Sequence, residues 1–498
     1  MKKISAPCLV LALLLLLQCM YIPVLAAETE DSAVPTVSET VPEETVAETA
    51  PTVAYGTASV TSGCRTIEAQ VPLGGSERML ETAQAAFVYE KNTGTVIYAY
   101  NPDMKMSPGG LNMIMTAIVA IEKGNLDDEV TISTRNYSSL PAGALNQKLK
   151  EGEVMTLRDL LYCLVLGSAN DAAITIAEHI SGNETSFVIE MNQYADTIGC
   201  QSTVFTNCHG QSDANQCTTA RDQVRIMEYC MRNSTFRELF AANSYTVEAT
   251  NKSEKRELKS TNYLREETIV PKLNDPRVTA GKQSYSSSTG AHVVCTAEDS
   301  GLSLVCVVLG GTRTYNSNGN VTYYGNFEEV MELLDFSFDG YKICRLLHDG
   351  QSMSQFTVAG GENQVVGQTH TSMDAVLPAD ATLDTLILKY SVTGGGLMAP
   401  IKLDQQIATL QIWYRTSCIA ETELYAMSSV RSAAESELDI QSTASRDDSN
   451  LTDILSFLGV ACLVVLVPLV IYLFVNNLRR TIARNRRRRR RKSRRRSR

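Results

Sequence analysis

The stretch SPGGLNMIMTAIVAIEKG, residues 107–124, has the pattern of the front of a buried helix. Met115, Ile118, Val119 and Ile121 supply the apolar face with which such a helix packs into a core. The sequence therefore predicts a central helix in this part of the chain.

The regions on either side of this helix have strand and helix patterns. Residues 85–101 and residues 290–311 each have the pattern of two strands joined by a turn. Residues 156–181 predict two helices separated by a break at Gly167. Residues 186–199 predict one further helix that ends in a glycine. Strands at both ends of a helical middle predict an α+β fold, with helices packed on an antiparallel sheet.

The later part of the chain has strand patterns only. Residues 354–371, 382–392 and 407–417 are short alternating runs of apolar and polar residues, separated by Gly and Asp. This pattern predicts a small β-sandwich domain. We assign the α+β domain to residues 63–338 and the β-rich domain to residues 339–430.

The N-terminus has the features of a secretory signal peptide, which we assign to residues 1–27. Two lysines precede an apolar run, and Val-Leu-Ala at residues 24–26 offers a cleavage site. Residues 28–62 are rich in Glu, Thr, Ser, Ala and Pro, which predicts a disordered acidic linker. Residues 431–452 are predicted to be a second linker of the same kind.

Near the C-terminus, Ile454 to Val475 form an uncharged apolar run. As a helix the run is roughly 33 Å long, enough to cross a bilayer. We predict a transmembrane helix at residues 453–475, followed by a basic tail at residues 476–498. The positive-inside rule places the tail in the cytoplasm and the body outside, as in a single-pass bacterial surface protein.

The charges of the chain are distributed unevenly. The net charge is −10, but 14 Lys and Arg residues lie in 477–498, and Lys2 and Lys3 lie at the other end. Without these residues, 29 basic residues remain against 55 acidic ones. A body this acidic is not expected to bind nucleic acid, because the phosphate backbone would repel it.

The 13 cysteines do not indicate a metal centre. Cys8 and Cys19 lie in the signal and Cys462 lies in the membrane segment, so ten lie outside the cell, where disulfides form. The CxxC spacing of a zinc or redox site is absent. We therefore predict no metal and no cofactor.

Two further motifs, GSANDAAITIAEHISGN at 167–183 and KQSYS at 282–286, support a family resemblance. Residues 80–335 resemble the serine-type D-Ala-D-Ala carboxypeptidases, low-molecular-weight penicillin-binding proteins related to β-lactamases. The segment GLMAPIKLDQQIATLQIWY at 396–414 resembles the C-terminal domain of that family. The resemblance implies acyl transfer on the stem peptides of cell-wall peptidoglycan.

The first motif of the family lacks its chemistry in this chain. The family pattern Pro-Ala-Ser-Leu-Thr-Lys-Ile-Met-Thr-Ala aligns with PGGLNMIMTA at residues 108–117. The resemblance therefore places Gly110 at the position of the nucleophile and Met113 at that of the base. Glycine has no side chain, and a thioether is a poor proton acceptor.

The other two motifs of the family are retained in part. The resemblance places the proton-relaying serine at Ser168 and the amide-binding asparagine at Asn170. The substrate-binding K-T-G strand becomes Lys282, Gln283 and Ser284. Alternatively, Ser-x-Asn is an ordinary helix cap and the lysine is a solvated strand residue.

A loop at residues 206–222 also resembles the family, with cysteines where proline and tyrosine are usual. Cys208 and Cys217 are both gained in this loop, which suggests a disulfide between them, with two separate thiols as the alternative. His209 is interpreted as structural, because no partner at a triad or metal-ligand spacing accompanies it.

Three functions are compatible with these residues. The favoured one is a membrane-anchored, non-catalytic relative that binds stem peptides or a protein partner, such as an active paralogue or a cell-wall protein. Loss of a nucleophile in a comparable hydrolase lowers turnover by about 10⁶. The alternatives are a working carboxypeptidase with unusual chemistry, for example through Ser107, and a structural surface protein without a ligand.

Overall fold

The computed structural model describes residues 66–140, 143–266, 268, 270–361, 363–434, 456–458, 460–461 and 463–480. The predicted signal peptide, the acidic linker, most of the second linker and most of the basic tail lie outside the described residues. Residues 66–340 form an α+β unit, which a β-rich segment follows.

The main sheet of the α+β unit has five antiparallel strands. The strands of this unit are β1 (Ala85–Glu90), β2 (Thr95–Tyr100), β3 (Glu129–Thr131), β4 (Val154–Thr156), β5 (Ser244–Val247), β6 (Arg256–Lys259), β7 (Val278–Ser286), β8 (Gly290–Asp299), β9 (Leu302–Gly311), β10 (Arg313–Tyr315) and β11 (Val321–Tyr324). The main sheet has the order β2-β1-β9-β8-β7, so β7 is an edge strand. Both predicted hairpins are confirmed, as β1–β2 and β8–β9.

Helices cover both faces of this sheet. They are α1 (Asn112–Lys123), α2 (Leu157–Val165), α3 (Asn170–Ser181), α4 (Glu184–Ile198), α5 (Ala220–Cys230), α6 (Ser234–Ala241) and α7 (Gly325–Gly340). The predicted break near Gly167 is confirmed between α2 and α3. Gly199 ends α4 with a left-handed φ of 88°, a conformation that glycine adopts without strain.

The alternation of side chains along β1 shows how the layers are arranged. Phe87 packs into the apolar cluster that contains α1, whereas its neighbour Val88 packs into the cluster that contains α7. Because successive side chains of a strand point to opposite faces, the sheet lies between these two layers. Burial on both faces explains why β9 is an almost continuous apolar run.

Helix α1 is the centre of the helical layer. A turn of 3-10 helix, Gly109–Leu111, precedes it, and its residues from Asn112 to Ala120 are all buried. It contacts each of the helices α2 to α6, and its leading turn contacts β7. The predicted central helix is confirmed, and its N-terminal turn lies beside the edge strand.

The β-rich segment follows α7 directly. Its strands are β12 (Tyr341–Leu347), β13 (Ser352–Phe356), β14 (Val358–Ala359), β15 (Val365–Gln368), β16 (Met373–Pro378), β17 (Leu386–Val392), β18 (Leu397–Met398), β19 (Gln406–Tyr414) and β20 (Ser417–Ala426). A five-stranded sheet, β13-β15-β20-β19-β17, and the pair β12-β16 share one apolar core. The predicted β-rich C-terminal region is confirmed.

One further helix, Ser456–Arg480, lies after the second linker. Among the described residues it is the one helix long and apolar enough to cross a membrane, by length and composition. It overlaps the predicted transmembrane helix.

Candidate functional site

A cavity of about 660 Å³ lies where the leading turn of α1, the start of α3 and strand β7 meet. It brings together residues from all three sequence motifs, namely Gly109, Gly110, Met113, Ser168, Asn170, Gln283 and Ser284. These motifs are far apart in the sequence, so their meeting in one cavity is a property of the fold. The cavity is therefore the candidate functional site.

The leading turn of α1 presents no nucleophile to the cavity. Gly110 contributes only backbone, and its N–H donates a hydrogen bond to Ser284 Oγ at 2.8 Å. The Met113 side chain, which lines the cavity, is only 1% exposed and belongs to the apolar core. Gly110 and Met113, which carry neither a nucleophile nor a base, therefore both lie at the cavity wall.

Lys282 is buried behind Ser168. Its Nζ lies 2.5 Å from Ser168 Oγ, 2.9 Å from the carbonyl oxygen of Val165 and 3.5 Å from that of Leu164. Both carbonyls belong to the C-terminal end of α2. Ser168 lines the cavity and Lys282 does not, so the lysine reaches a ligand only through the serine hydroxyl.

The charge of Lys282 is not balanced by an acidic residue. No ion pair joins it to a carboxylate of the described residues, and its side chain is 1% exposed. Burial in this neutral environment lowers the pKa of Lys282 to about 7, because desolvation disfavours the ammonium form. Near neutral pH the amine is therefore partly unprotonated.

Two amide side chains also line the cavity. The backbone N–H of Asn170 donates to the carbonyl oxygen of Leu145 at 2.8 Å, which holds the start of α3 against the loop before it. Gln283 Oε1 is buried and has no hydrogen-bond partner in the described part of the chain. The Oε1 atom of Gln283 is thus an unused hydrogen-bond acceptor at a residue that lines the cavity.

Arg313, the first residue of β10, is a cavity residue that the sequence motifs did not indicate. Its guanidinium carbon lies 3.9 Å from the centroid of the Tyr285 ring, and both residues line the cavity. Arg313 forms no ion pair with a described carboxylate, and its Nε has no hydrogen-bond partner there. No acidic residue of the described part of the chain lines the cavity, so Arg313 gives it a positive potential that favours an anionic ligand. Nothing in the local sequence around Arg313 indicated this position.

His209 lines the cavity but is held by its neighbours. Its Nδ1 accepts a hydrogen bond from the N–H of Gln211 at 3.3 Å, and its Nε2 lies 3.4 Å from Glu184 Oε1. Burial lowers the pKa of His209, and the Glu184 carboxylate opposes this effect. Both ring nitrogens are engaged within the protein, in keeping with the structural role inferred from the sequence.

The predicted disulfide between Cys208 and Cys217 is wrong. Both are free thiols that point to different partners. Cys208 Sγ donates to Glu184 Oε1 at 3.3 Å, whereas Cys217 Sγ donates to the carbonyl oxygen of Ser202 at 3.3 Å. Their proximity in the sequence did not reveal these directions.

The leading turn of α1, the start of α3 and the edge strand β7 form the cavity together. This arrangement is typical of one class of protein. Residues 76–313 match the D-alanyl-D-alanine carboxypeptidase family. Over this region, just under half of its length, the chain is similar to that family, whose members are serine-type hydrolases of peptidoglycan metabolism.

Individual relatives extend the similarity into the β-rich segment. D-alanyl-D-alanine carboxypeptidase DacF of Bacillus subtilis is 24% identical over 362 residues, which are 72% of this chain and 88% of the relative. DacA of Haemophilus influenzae is 27% identical over 360 residues, 71% of this chain and 86% of the relative. The crystal structure of penicillin binding protein 5 from Haemophilus influenzae superposes with a TM-score of 0.57 at 27% identity, covering 72% of this chain and 100% of that structure.

Proposed function

We propose that this protein binds D-Ala-D-Ala stem peptides of peptidoglycan at the outer cell surface and does not hydrolyse them. The observation that carries the proposal is the composition of the cavity. Ser168, Asn170 and Arg313 line it, whereas Gly110 and Met113 stand where the family has its nucleophile and base. The cavity thus offers groups for recognition but lacks a nucleophile and a base at the family's positions.

Recognition of the peptide would use polar side chains of the cavity wall. The terminal carboxylate of a stem peptide is an anion, and Arg313 is the guanidinium of the cavity wall. A planar guanidinium can hold a carboxylate through two parallel hydrogen bonds. Gln283 and Asn170 would bond the peptide amides. Binding without a chemical step leaves the peptide intact.

The Ser107 alternative is not favoured by its surroundings. Ser107 lines a neighbouring cavity of about 550 Å³, together with Lys105, and does not line the site cavity. Its buried Oγ has no hydrogen-bond partner among the described residues, so no base activates it. A nucleophile needs a base within hydrogen-bond reach.

A second candidate function is slow acyl transfer through Ser168. The observation that favours it is the 2.5 Å contact between Ser168 Oγ and Lys282 Nζ. An amine that is partly unprotonated can take a proton from a serine hydroxyl. This arrangement would make Ser168 the acylated residue of a residual carboxypeptidase.

The membrane topology forms part of the proposal. The helix Ser456–Arg480 would anchor the protein, with the basic tail in the cytoplasm and the body outside. In that position the cavity faces the peptidoglycan. An active paralogue or another cell-wall protein would be the partner that responds to the bound peptide.

A fluorescent penicillin and calorimetry test the proposal together. We expect the purified full-length protein in detergent to show no covalent band after incubation with the penicillin. Titration with an N-acylated Lys-D-Ala-D-Ala peptide should show saturable binding. A covalent band that Ser168→Ala abolishes would support the second function instead. The absence of both a band and binding would leave a structural role.

A further inference from the structure

Ser284 fills the space in front of the empty nucleophile position. Its Oγ accepts the Gly110 N–H at 2.8 Å. A Cβ added to Gly110 would lie 3.3 Å from Ser284 Oγ, and one added to Gly109 would lie 2.7 Å from the same atom. The first distance is tight and the second is a clash, so the hydroxyl leaves little space for larger residues in this turn.

The backbone of Ser284 cannot withdraw from this contact. Ser284 lies near the C-terminal end of β7 and pairs with His292 on β8, so the ladder between these two strands holds its Cα. The leading turn of α1 is likewise held, because the helix that follows is buried from Asn112 to Ala120. Only rotation or removal of the Ser284 side chain can open the space.

The Gly110 N–H is the group that this contact removes from the cavity. In serine acyl-transfer enzymes, the backbone N–H of the nucleophilic residue is commonly one donor of the oxyanion hole. Here the corresponding donor is already bonded to a hydroxyl of the same chain. A carbonyl oxygen in the cavity would have to displace Ser284 before it could use that donor.

We propose that Ser284 closes the acylation site: its hydroxyl holds the Gly110 N–H and occupies the space that a nucleophilic side chain would need. With the nucleophile and the base restored but Ser284 retained, acylation is therefore expected to be much slower than when position 284 is also glycine. The inference rests on the proposed absence of catalysis and identifies Ser284 as a third cause of it.

Labelling with a fluorescent penicillin tests the inference in the full-length protein. The variants are Gly110→Ser with Met113→Lys, the same pair with Ser284→Gly, and the same pair with Ser288→Gly. Ser288 also lines the cavity but makes no hydrogen bond to Gly110, so it is a matched control. We expect Ser284→Gly to raise the labelling rate of the double variant by about 100-fold, the effect of one oxyanion-hole donor. The control should label at the rate of the double variant.

The inference is overturned if the double variant labels as fast as the triple variant, or if the folded triple variant does not label. Melting curves establish that each variant is folded. If the triple variant does not fold, the inference is tested in the single variant Ser284→Gly instead. There the hydrogen-exchange rate of the Gly110 amide is measured and compared with that of the parent. Faster exchange than in the parent supports the inference, and unchanged exchange overturns it. Peptide binding by the parent is measured separately, so failure of the proposed function is distinguishable.

Discussion

At the scale of the residue, the two basic groups near the cavity differ in their accessibility. Lys282 is buried behind Ser168 and is surrounded by neutral oxygen atoms. Arg313 lines the cavity and has no acidic partner among the described residues. The lysine therefore affects mainly the stability of the fold, whereas the arginine is placed to bind a ligand.

Replacement of Lys282 by methionine should stabilise the protein below neutral pH. In the unfolded chain a lysine keeps its proton up to about pH 10.5, but burial lowers the native pKa of Lys282 to about 7. The native state therefore bears an unfavourable buried charge below pH 7, and this penalty disappears as the pH rises from 7 to 10.5. We expect Lys282→Met to raise the melting temperature at pH 6 by roughly 3 °C, which corresponds to a gain of about 1 kcal/mol in the free energy of unfolding.

The melting temperatures at pH 9 test the direction of this pH dependence. The advantage of Lys282→Met should shrink there, because the parent no longer bears the buried charge. Lys255→Met, at an exposed lysine, is the matched control and should change little at either pH. A variant that is less stable than the parent at pH 6 would contradict this account of Lys282.

Replacement of Arg313 by alanine should weaken the binding of D-Ala-D-Ala peptides. Loss of a charge-assisted hydrogen bond lowers the binding free energy by about 1.5–3 kcal/mol, which is roughly a 10- to 100-fold weaker affinity. Calorimetry with a free and an amidated peptide terminus identifies the contact, because only the free carboxylate should be sensitive to the change. Arg232→Ala, at an exposed arginine, is the control. Equal losses for both peptides would argue against a carboxylate contact.

At the scale of the element, helix α2 positions the carbonyls that hold Lys282. Thr156 caps this helix, because its Oγ1 accepts the Asp159 N–H at 3.1 Å while the Asp159 side chain bonds back to Thr156. The cap fixes where the helix begins, and the break at Gly167 fixes where it ends. Together they place the turn that carries Ser168.

Removal of this cap should destabilise the fold without changing the chemistry of the cavity. We expect Thr156→Ala to lower the free energy of unfolding by about 1 kcal/mol, the usual effect of an N-cap. Denaturant unfolding measures the change. Thr197→Ala, at an exposed threonine late in α4, is the comparison and should have a smaller effect. Equal losses in both variants would contradict the role of the cap.

The sequence predicted these elements better than it predicted the site. The apolar periodicity of the sequence predicted α1 and the hairpins, because an element that is buried on one or two faces has a regular pattern of apolar residues. The burial of Lys282 depends on carbonyls of α2, and Arg313 reaches the cavity from a later strand. The predicted disulfide between Cys208 and Cys217 was wrong for the same reason, since the spacing of two residues in a loop does not determine where their side chains point. Contacts between distant segments are a property of the folded chain.

At the scale of the whole molecule, the chain combines a family fold with an apolar C-terminal helix. Residues 76–313 match the D-alanyl-D-alanine carboxypeptidase family, and the helix Ser456–Arg480 is long enough to span a bilayer. The proposed function needs the body on the outer side, because the stem peptides are there. The proposed function therefore depends on the membrane topology as much as on the cavity.

Protease protection in intact cells tests this topology. A tag placed after Arg498 should survive external protease if the basic tail is cytoplasmic, whereas the body should be digested. A truncated chain that ends at residue 452 should leave the membrane fraction. Digestion of the tag from outside, or retention of the truncated chain in the membrane, would contradict the proposed anchor.

In the proposed function, the cavity binds a D-Ala-D-Ala peptide and leaves it intact. Nuclear magnetic resonance of a peptide with a ¹³C-labelled terminal D-Ala, mixed with the purified full-length protein, follows both properties in one sample. We expect a saturable shift or broadening of the terminal D-Ala signal and no signal from free D-Ala over several hours. Free D-Ala that appears in proportion to protein concentration, or a peptide signal that does not respond to the protein, would contradict the proposed function.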